Sequence, residues 1–166
     1  MSRPLPLTAA PLTASEFAPF GDVIEARATP TVMINQGLCA RHSDLAQLDF
    51  ADGRAGISLF DAQARHLPHL VEMVERHPLG SQAFIPLGPW RCLVIVAADA
   101  GGVPDTPRAF VTEPGQAINL HRGVWHGVLT PLDTAGQFAV VDRIGTDPNL
   151  EEHWFQRPYL IEALEI

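Results

Sequence analysis

The stretch Asn119-Leu-His-Arg-Gly-Val-Trp-His126 decides how this chain is read. A strand ends at His121, Arg122-Gly123 makes a turn, and a strand resumes at Val124. Histidines on either side of a tight turn can aim into one cavity. A second polar cluster, Glu75-Arg-His-Pro-Leu-Gly-Ser-Gln82, lies upstream and runs into the apolar strand Ala83–Leu87. The two stretches are expected to line one barrel mouth.

Working outward, 15 prolines and 13 glycines punctuate the 166 residues at short intervals. The segments left between them are strand-sized, which predicts an all-β sandwich or barrel. No linker or repeat divides the chain, so residues 1–166 are expected to form a single domain. Strands are predicted at Val23–Glu25, Thr31–Asn35, Ile57–Phe60, Ser81–Leu87, Arg91–Ala98, Ala109–Thr112, Ala117–His121, Val124–Leu129 and Gln137–Asp142. Thr13-Ala-Ser-Glu16 has the form of a capping box, which predicts a short helix around Ala14–Ala18 that Pro19 stops. A second short helix is predicted over Leu150–Phe155, capped by Asp147 or Asn149. Leu70–His77 fits either a helical face or a strand. The strand is favoured because Pro68 and Pro78 bracket it closely, and it puts Glu75 and His77 on one side.

Composition excludes several classes of function. The net charge is −8, and every basic side chain apart from histidine is arginine. A chain without lysine has no Schiff-base or P-loop lysine. An acidic chain without a basic run is a poor match for nucleic acid. No apolar run reaches membrane length, and the N-terminus lacks the continuous apolar region of a secretory signal. Cys39 and Cys92 have no metal-type spacing, and Cys92 reads as a small core residue. The expected location is the cytoplasm. An anionic substrate must be met by specific arginines instead of a broad positive field.

Glu75 and His77, two apart on a strand, make a metal half-site or an acid/base pair. The bland alternative is a pair of solvated side chains. If His126 faces the same cavity, Glu75, His77, Gln82 and His126 form a mixed nitrogen and oxygen site suited to a divalent transition metal. Arg122 suits bidentate recognition of a carboxylate, or is a plain surface turn residue. Trp125 reads as core packing. Asp142-Arg143 reads as a strand end or ion pair, and Asn35, Arg41 and Asp44 fit ordinary turn chemistry.

The same residues carry a family resemblance. Asn35-x-Gly-Leu-x-x-Arg41-x-x-Asp44-Leu, Glu75-Arg-His-Pro-Leu-Gly-x-Gln82-Ala-Phe-Ile-Pro-Leu87, His121-Arg-Gly-Val-Trp-His126 and Val141-Asp-Arg143 resemble, in order, the ureidoglycolate lyase family of the cupin superfamily. Cupins carry His-x-His-x(3,4)-Glu shortly before a glycine, where this chain has Glu75-x-His77-x4-Gln82 and then Gly88. Their Pro-x-Gly-x-x-His is matched by His121-x-Gly123-x-x-His126. Relatives often have a second histidine after Trp-His, where this chain has Gly127.

The resemblance implies a cupin-type double-stranded β-barrel, or jelly roll, with a few short peripheral helices. It implies cleavage of (S)-ureidoglycolate to glyoxylate and urea, late in allantoin and purine-nitrogen breakdown. Glu75, His77, Gln82 and His126 are then the ligands of a divalent metal, nickel in this family, and no organic cofactor is needed. His126, His77 and Glu75 supply acid and base. Arg122, His121, Asn35, Arg41 and Arg143 contact the substrate. A homodimer is implied, with the apolar C-terminal strand as a candidate contact. The rival readings are another cupin metalloenzyme, a dioxygenase or isomerase, and a non-catalytic binder of a small acid.

Overall fold

Frequent proline and glycine leave room mainly for short extended segments, and the computed structural model, which describes residues 3–165, is built from them. In chain order the elements are β1 (Leu5–Pro6), β2 (Ala9–Pro11), α1 (Ala14–Phe17), β3 (Gly21–Ile24), β4 (Val32–Ile34), β5 (Cys39–Arg41), β6 (Arg54–Ala62), β7 (His69–Arg76) and β8 (Gln82–Pro86). They continue with β9 (Cys92–Ala97), β10 (Arg108–Val111), β11 (Ala117–Leu120), β12 (Trp125–His126), β13 (Thr130–Pro131), β14 (Gly136–Ile144) and β15 (Glu151–Ile161). One sheet has the order β1-β15-β7-β12-β9-β10-β2, with β13 beside β9, and the other has the order β3-β11-β8-β14-β6. β4 and β5 pair only with each other, as a separate hairpin.

The two large sheets face each other across an apolar core. Val94, Val96 and Phe110 enter it from one side, and Phe84, Ile118, Leu120, Phe138 and Val140 from the other. Alternation along each strand sends every second residue inward, and two curled sheets closed on one core make an all-β jelly-roll barrel. A second core lies on the outer face of the larger sheet. There Val74, Ile95, Ala97 and Trp125 are covered by Ala9, Ile161, Tyr159 and Leu164. Cys92 is buried in the barrel, and burial pushes its thiol up to about 12, so it stays protonated and inert.

Half of the capping box forms: the Thr13 hydroxyl accepts the Glu16 N–H at 3.3 Å, while the Glu16 carboxylate pairs with Arg108, and the single turn of α1 drives Phe17 into the core. Leu70–His77 forms strand β7 over most of its length. The predicted helix over Leu150–Phe155 is not formed. That segment opens β15, with Glu151 opposite Arg76 and Trp154 opposite Met73. Its pairing covers a side of β7 that would otherwise present unpaired backbone groups. Asn149 caps no helix; its side-chain oxygen accepts the Leu79 N–H at 2.7 Å instead. The β15 register shifts between Trp154 and Tyr159, around Pro158, which has no N–H to give the ladder. Val124–Leu129 is ladder-paired only at Trp125–His126, because the chain leaves β7 after that.

Phe138 is 1% exposed and sits among the inward side chains of both sheets. Phe138→Ala is expected to lower unfolding free energy by about 3–5 kcal/mol, read as a fall in the urea midpoint at constant slope.

Candidate active site

Two short stretches of backbone fix the site. β12 is wedged between β7 and β9, so that His126 lies opposite Glu75 on one side and Val96 on the other. Trp125 fills the outer core, and His126 therefore points into the barrel. From the facing sheet, Gln82 stands opposite Leu120 and Asp142, and these side chains share the inner face. His77 follows β7 directly. The turn over His121–Val124 closes with a Val124 N–H to His121 carbonyl bond of 3.2 Å, and Gly123 takes the positive φ of 77° that the turn requires. The Gly123 N–H donates to the His77 carbonyl at 3.0 Å, which ties the two polar stretches together.

The result is a cluster in which ligand-capable atoms of Glu75, His77 and His126 all lie within 4.8 Å of one another. His77 Nε2 is 3.1 Å from Gln82 Oε1 and 4.0 Å from Glu75 Oε1. The His77 and His126 rings are 5.2 Å apart between centroids. The four residues that the sequence singles out are thus brought together. Asp142, first read as a strand end, belongs with them: its carboxylate accepts the Gln82 Nε2–H at 3.1 Å.

Proton accounting shows what this cluster suits. A carbonyl can only accept, so the contact of His77 Nδ1 with the Asn149 carbonyl at 2.7 Å puts a hydrogen on Nδ1. The Gly127 carbonyl, 3.1 Å from His126 Nδ1, does the same for that ring. Both histidines in neutral form therefore present the Nε2 lone pair to the cavity, the arrangement that orients metal-bound histidine. His126 Nε2 is buried without a hydrogen-bond partner. Asp142 fixes the Gln82 amide so that Oε1 faces His77 Nε2 at 3.1 Å, a contact satisfied either by a hydrogen on Nε2 or by a cation bound to both atoms. A mixed nitrogen and oxygen donor set of this kind fits a divalent transition metal.

Burial, together with the nearby His77, pushes the His126 imidazole down to about 4, so it is neutral near pH 7 and no proton has to leave before it donates its lone pair. Burial raises the Glu75 carboxyl above its ordinary value, with His77 opposing and Glu152 adding to the rise. A cation at the centre would favour the carboxylate form.

His121 lines the same cavity as His77, Gln82 and His126, at its rim. Its Nε2 is 3.1 Å from Asp22 Oδ2, which also accepts from Asn119 Nδ2 and the Gln47 N–H, each at 2.9 Å. Asp22 lies 99 residues from His121, and no sequence spacing signals the pair. Asn149 was likewise hidden, because its contribution to His77 is a backbone carbonyl. Arg122 lies exposed on the turn, where its Nε donates to the Pro78 carbonyl at 2.6 Å.

The other predicted substrate contacts are not brought to the cavity. Asn35 and Arg41 are exposed on the β4–β5 hairpin. Arg143 is buried on the opposite face of β14 from Asp142. Its Nη2 lies 2.7 Å from Asp52, and its Nε donates to the Phe50 carbonyl at 3.1 Å. It serves the 49–53 loop because strand alternation turns it away from the barrel. Gly127 also points elsewhere: a Cβ there would lie 3.2 Å from Ile95 in the outer core, so the missing second histidine removes nothing from the donor cluster.

The family model for ureidoglycolate lyase matches residues 4–162. The chain belongs to the ureidoglycolate lyase family. It is 60% identical over 154 residues to the ureidoglycolate lyase of Rhodobacter capsulatus, covering 92% of this chain and 96% of that one. It is 50% identical over 160 residues to ureidoglycolate lyase 2 of Rhizobium meliloti, covering 95% and 98%. Among solved structures it is similar to RmlC from Streptococcus suis in complex with dTDP-D-xylose, at 12% identity and a TM-score of 0.40, over 82% of this chain and 56% of that chain. In this member of the ureidoglycolate lyase family, β7 and β12 set the Glu75–Pro78 and Trp125–His126 stretches side by side.

Asp142→Ala removes the acceptor that aims the Gln82 amide. Calorimetric titration with a divalent transition metal is expected to show binding about 10–100-fold weaker than in the parent protein; equal affinity would show that Gln82 is not part of the donor set.

Proposed function

We propose that this chain is a ureidoglycolate lyase that cleaves (S)-ureidoglycolate to glyoxylate and urea. The reading is carried by one observation: Glu75, His77, Gln82 and His126 converge at the barrel mouth in a chain 60% identical to a curated ureidoglycolate lyase. These four residues would hold a divalent metal, nickel by family resemblance. Bound there, the metal would supply Lewis-acid stabilisation of developing negative charge on oxygen. With their Nδ1 hydrogens committed to carbonyls, His77 and His126 serve as holders.

The substrate is a carbinolamine that carries a carboxylate. Cleavage moves the hydroxyl proton off oxygen as the carbonyl forms, breaks the C–N bond, and returns a proton to the departing ureido nitrogen. No oxidant and no attacking water enter, so the protein has to supply an anion anchor and a path for one proton. Arg122, exposed on the turn next to His121 and 3.7 Å from Asp49, is the cation we assign to the carboxylate; Asn35 and Arg41 lie on the separate β4–β5 hairpin, and Arg143 is committed to Asp52 and the Phe50 carbonyl.

A homodimer in the cytoplasm fits this reading. β15 gives one edge to β7 and pairs β1 on the other only at Tyr159 and Leu160, and it exposes Trp154. Exposed apolar side chains also gather on β6, at Ile57 and Leu59, and on the hairpin, at Val32, Met33 and Leu38. These are the surfaces that a second copy would cover.

The direct test is product release. The protein is expected to yield urea and glyoxylate in equal amounts from (S)-ureidoglycolate, without oxygen uptake, and to lose turnover to a chelator. His126→Ala is expected to cost at least about 100-fold in kcat, and Arg122→Ala to raise KM about 10-fold with a smaller change in kcat. Unchanged turnover in His126→Ala, or oxygen consumption on adding iron, would contradict the assignment.

A further inference from the structure

We propose that the proton in this reaction is carried by His121, with Asp22 as its positioning residue. The proposal rests on the lyase reading and adds the group that moves the proton.

Three observations lead to it. First, the other two histidines of the cavity are tied. Each gives its Nδ1 hydrogen to a main-chain carbonyl and turns Nε2 toward the donor cluster. Second, His121 lines the cavity yet stands outside the cluster whose ligand atoms lie within 4.8 Å of one another. Third, His121 is oriented by a carboxylate. Asp22 Oδ2 can only accept, so the 3.1 Å contact puts a hydrogen on His121 Nε2 and leaves the lone pair on Nδ1. Among the described residues Nδ1 makes no hydrogen bond, so its lone pair is uncommitted.

Asp22 is itself held in place. Asn119, fully buried, donates to it from β11, and the Gln47 N–H donates from the loop. Partial burial would raise the Asp22 carboxyl, but the hydrogen bonds from Asn119, Gln47 and His121 outweigh it and keep the group below its ordinary value. Asn119 is fixed in turn by donating to the Gln47 carbonyl at 2.9 Å. A carboxylate set this firmly behind an imidazole selects one tautomer and steadies the cation that forms when the other nitrogen takes a proton.

The step balances without any further reactant. His121 Nδ1 accepts the hydroxyl proton, and the O–H electron pair becomes the new C=O π bond. The C–N bond breaks, and its pair stays on the ureido nitrogen. The imidazolium then gives the same proton to that nitrogen, releasing urea and glyoxylate and restoring neutral His121.

Two measurements test this. Ring 15N NMR of the labelled protein is expected to show the His121 hydrogen on Nε2; a hydrogen on Nδ1 overturns the positioning role of Asp22, whatever the substrate is. In kinetics, His121→Gln is expected to lose about 100-fold or more in kcat with KM and metal affinity little changed. His121→Gly is expected to regain turnover with added imidazole. Asp22→Asn, with an unchanged melting temperature, is expected to lower kcat and not KM. Parent protein that turns over while His121→Gln keeps the parent rate overturns the proton role alone. Parent protein that releases no urea overturns the lyase reading on which it stands.

Discussion

The seating of β12 between β7 and β9 is the constraint on which the rest depends. Two residues, Trp125 and His126, pair with strands on both sides, and the register puts His126 opposite Glu75. Because a strand side chain points to alternate faces, Trp125 must fill the outer core for His126 to enter the barrel. A slip of one residue would bury the indole at the site and expel the imidazole. Trp125 is further pinned by donating from Nε1 to Asp99 at 2.9 Å and by the Arg76 guanidinium, which stacks 4.6 Å from its ring and bonds the same carboxylate. The functional side chain is held by the packing of its neighbour.

A second layer of control is the bookkeeping of hydrogen bonds. Four of the polar side chains at the cavity are oriented from behind: His77 by Asn149, His126 by Gly127, Gln82 by Asp142 and His121 by Asp22. Two of these partners are main-chain carbonyls, which cannot change role. The arrangement leaves lone pairs pointing inward, in a setting where burial keeps His126 neutral. It also sets the donor cluster apart from the one imidazole, His121, that a carboxylate orients.

Much of this was legible in the sequence, for identifiable reasons. Pro68 and Pro78 decided that Leu70–His77 is extended, and with that choice Glu75 and His77 fell on one side. The turn at Arg122-Gly123 set His121 and His126 on either side of one cavity. What stayed hidden was set by tertiary pairing. Leu150–Phe155 has capping residues before it and still forms a strand, because β7 needs a partner along that edge. Asp22 and Asn149 act across 99 and 72 residues, where no local spacing exists. Arg143 sits next to Asp142, but strand alternation sends the two to opposite faces, so Asp142 meets Gln82 while Arg143 meets Asp52.

The central claim is that Glu75, His77, Gln82 and His126 act as one donor set across the two sheets. X-ray absorption spectroscopy of the protein loaded with a divalent transition metal tests it most directly. The account predicts scattering from two imidazole rings together with oxygen ligands, reduced to one ring in His126→Ala. A spectrum of oxygen ligands alone, or one unchanged by His126→Ala, would contradict it.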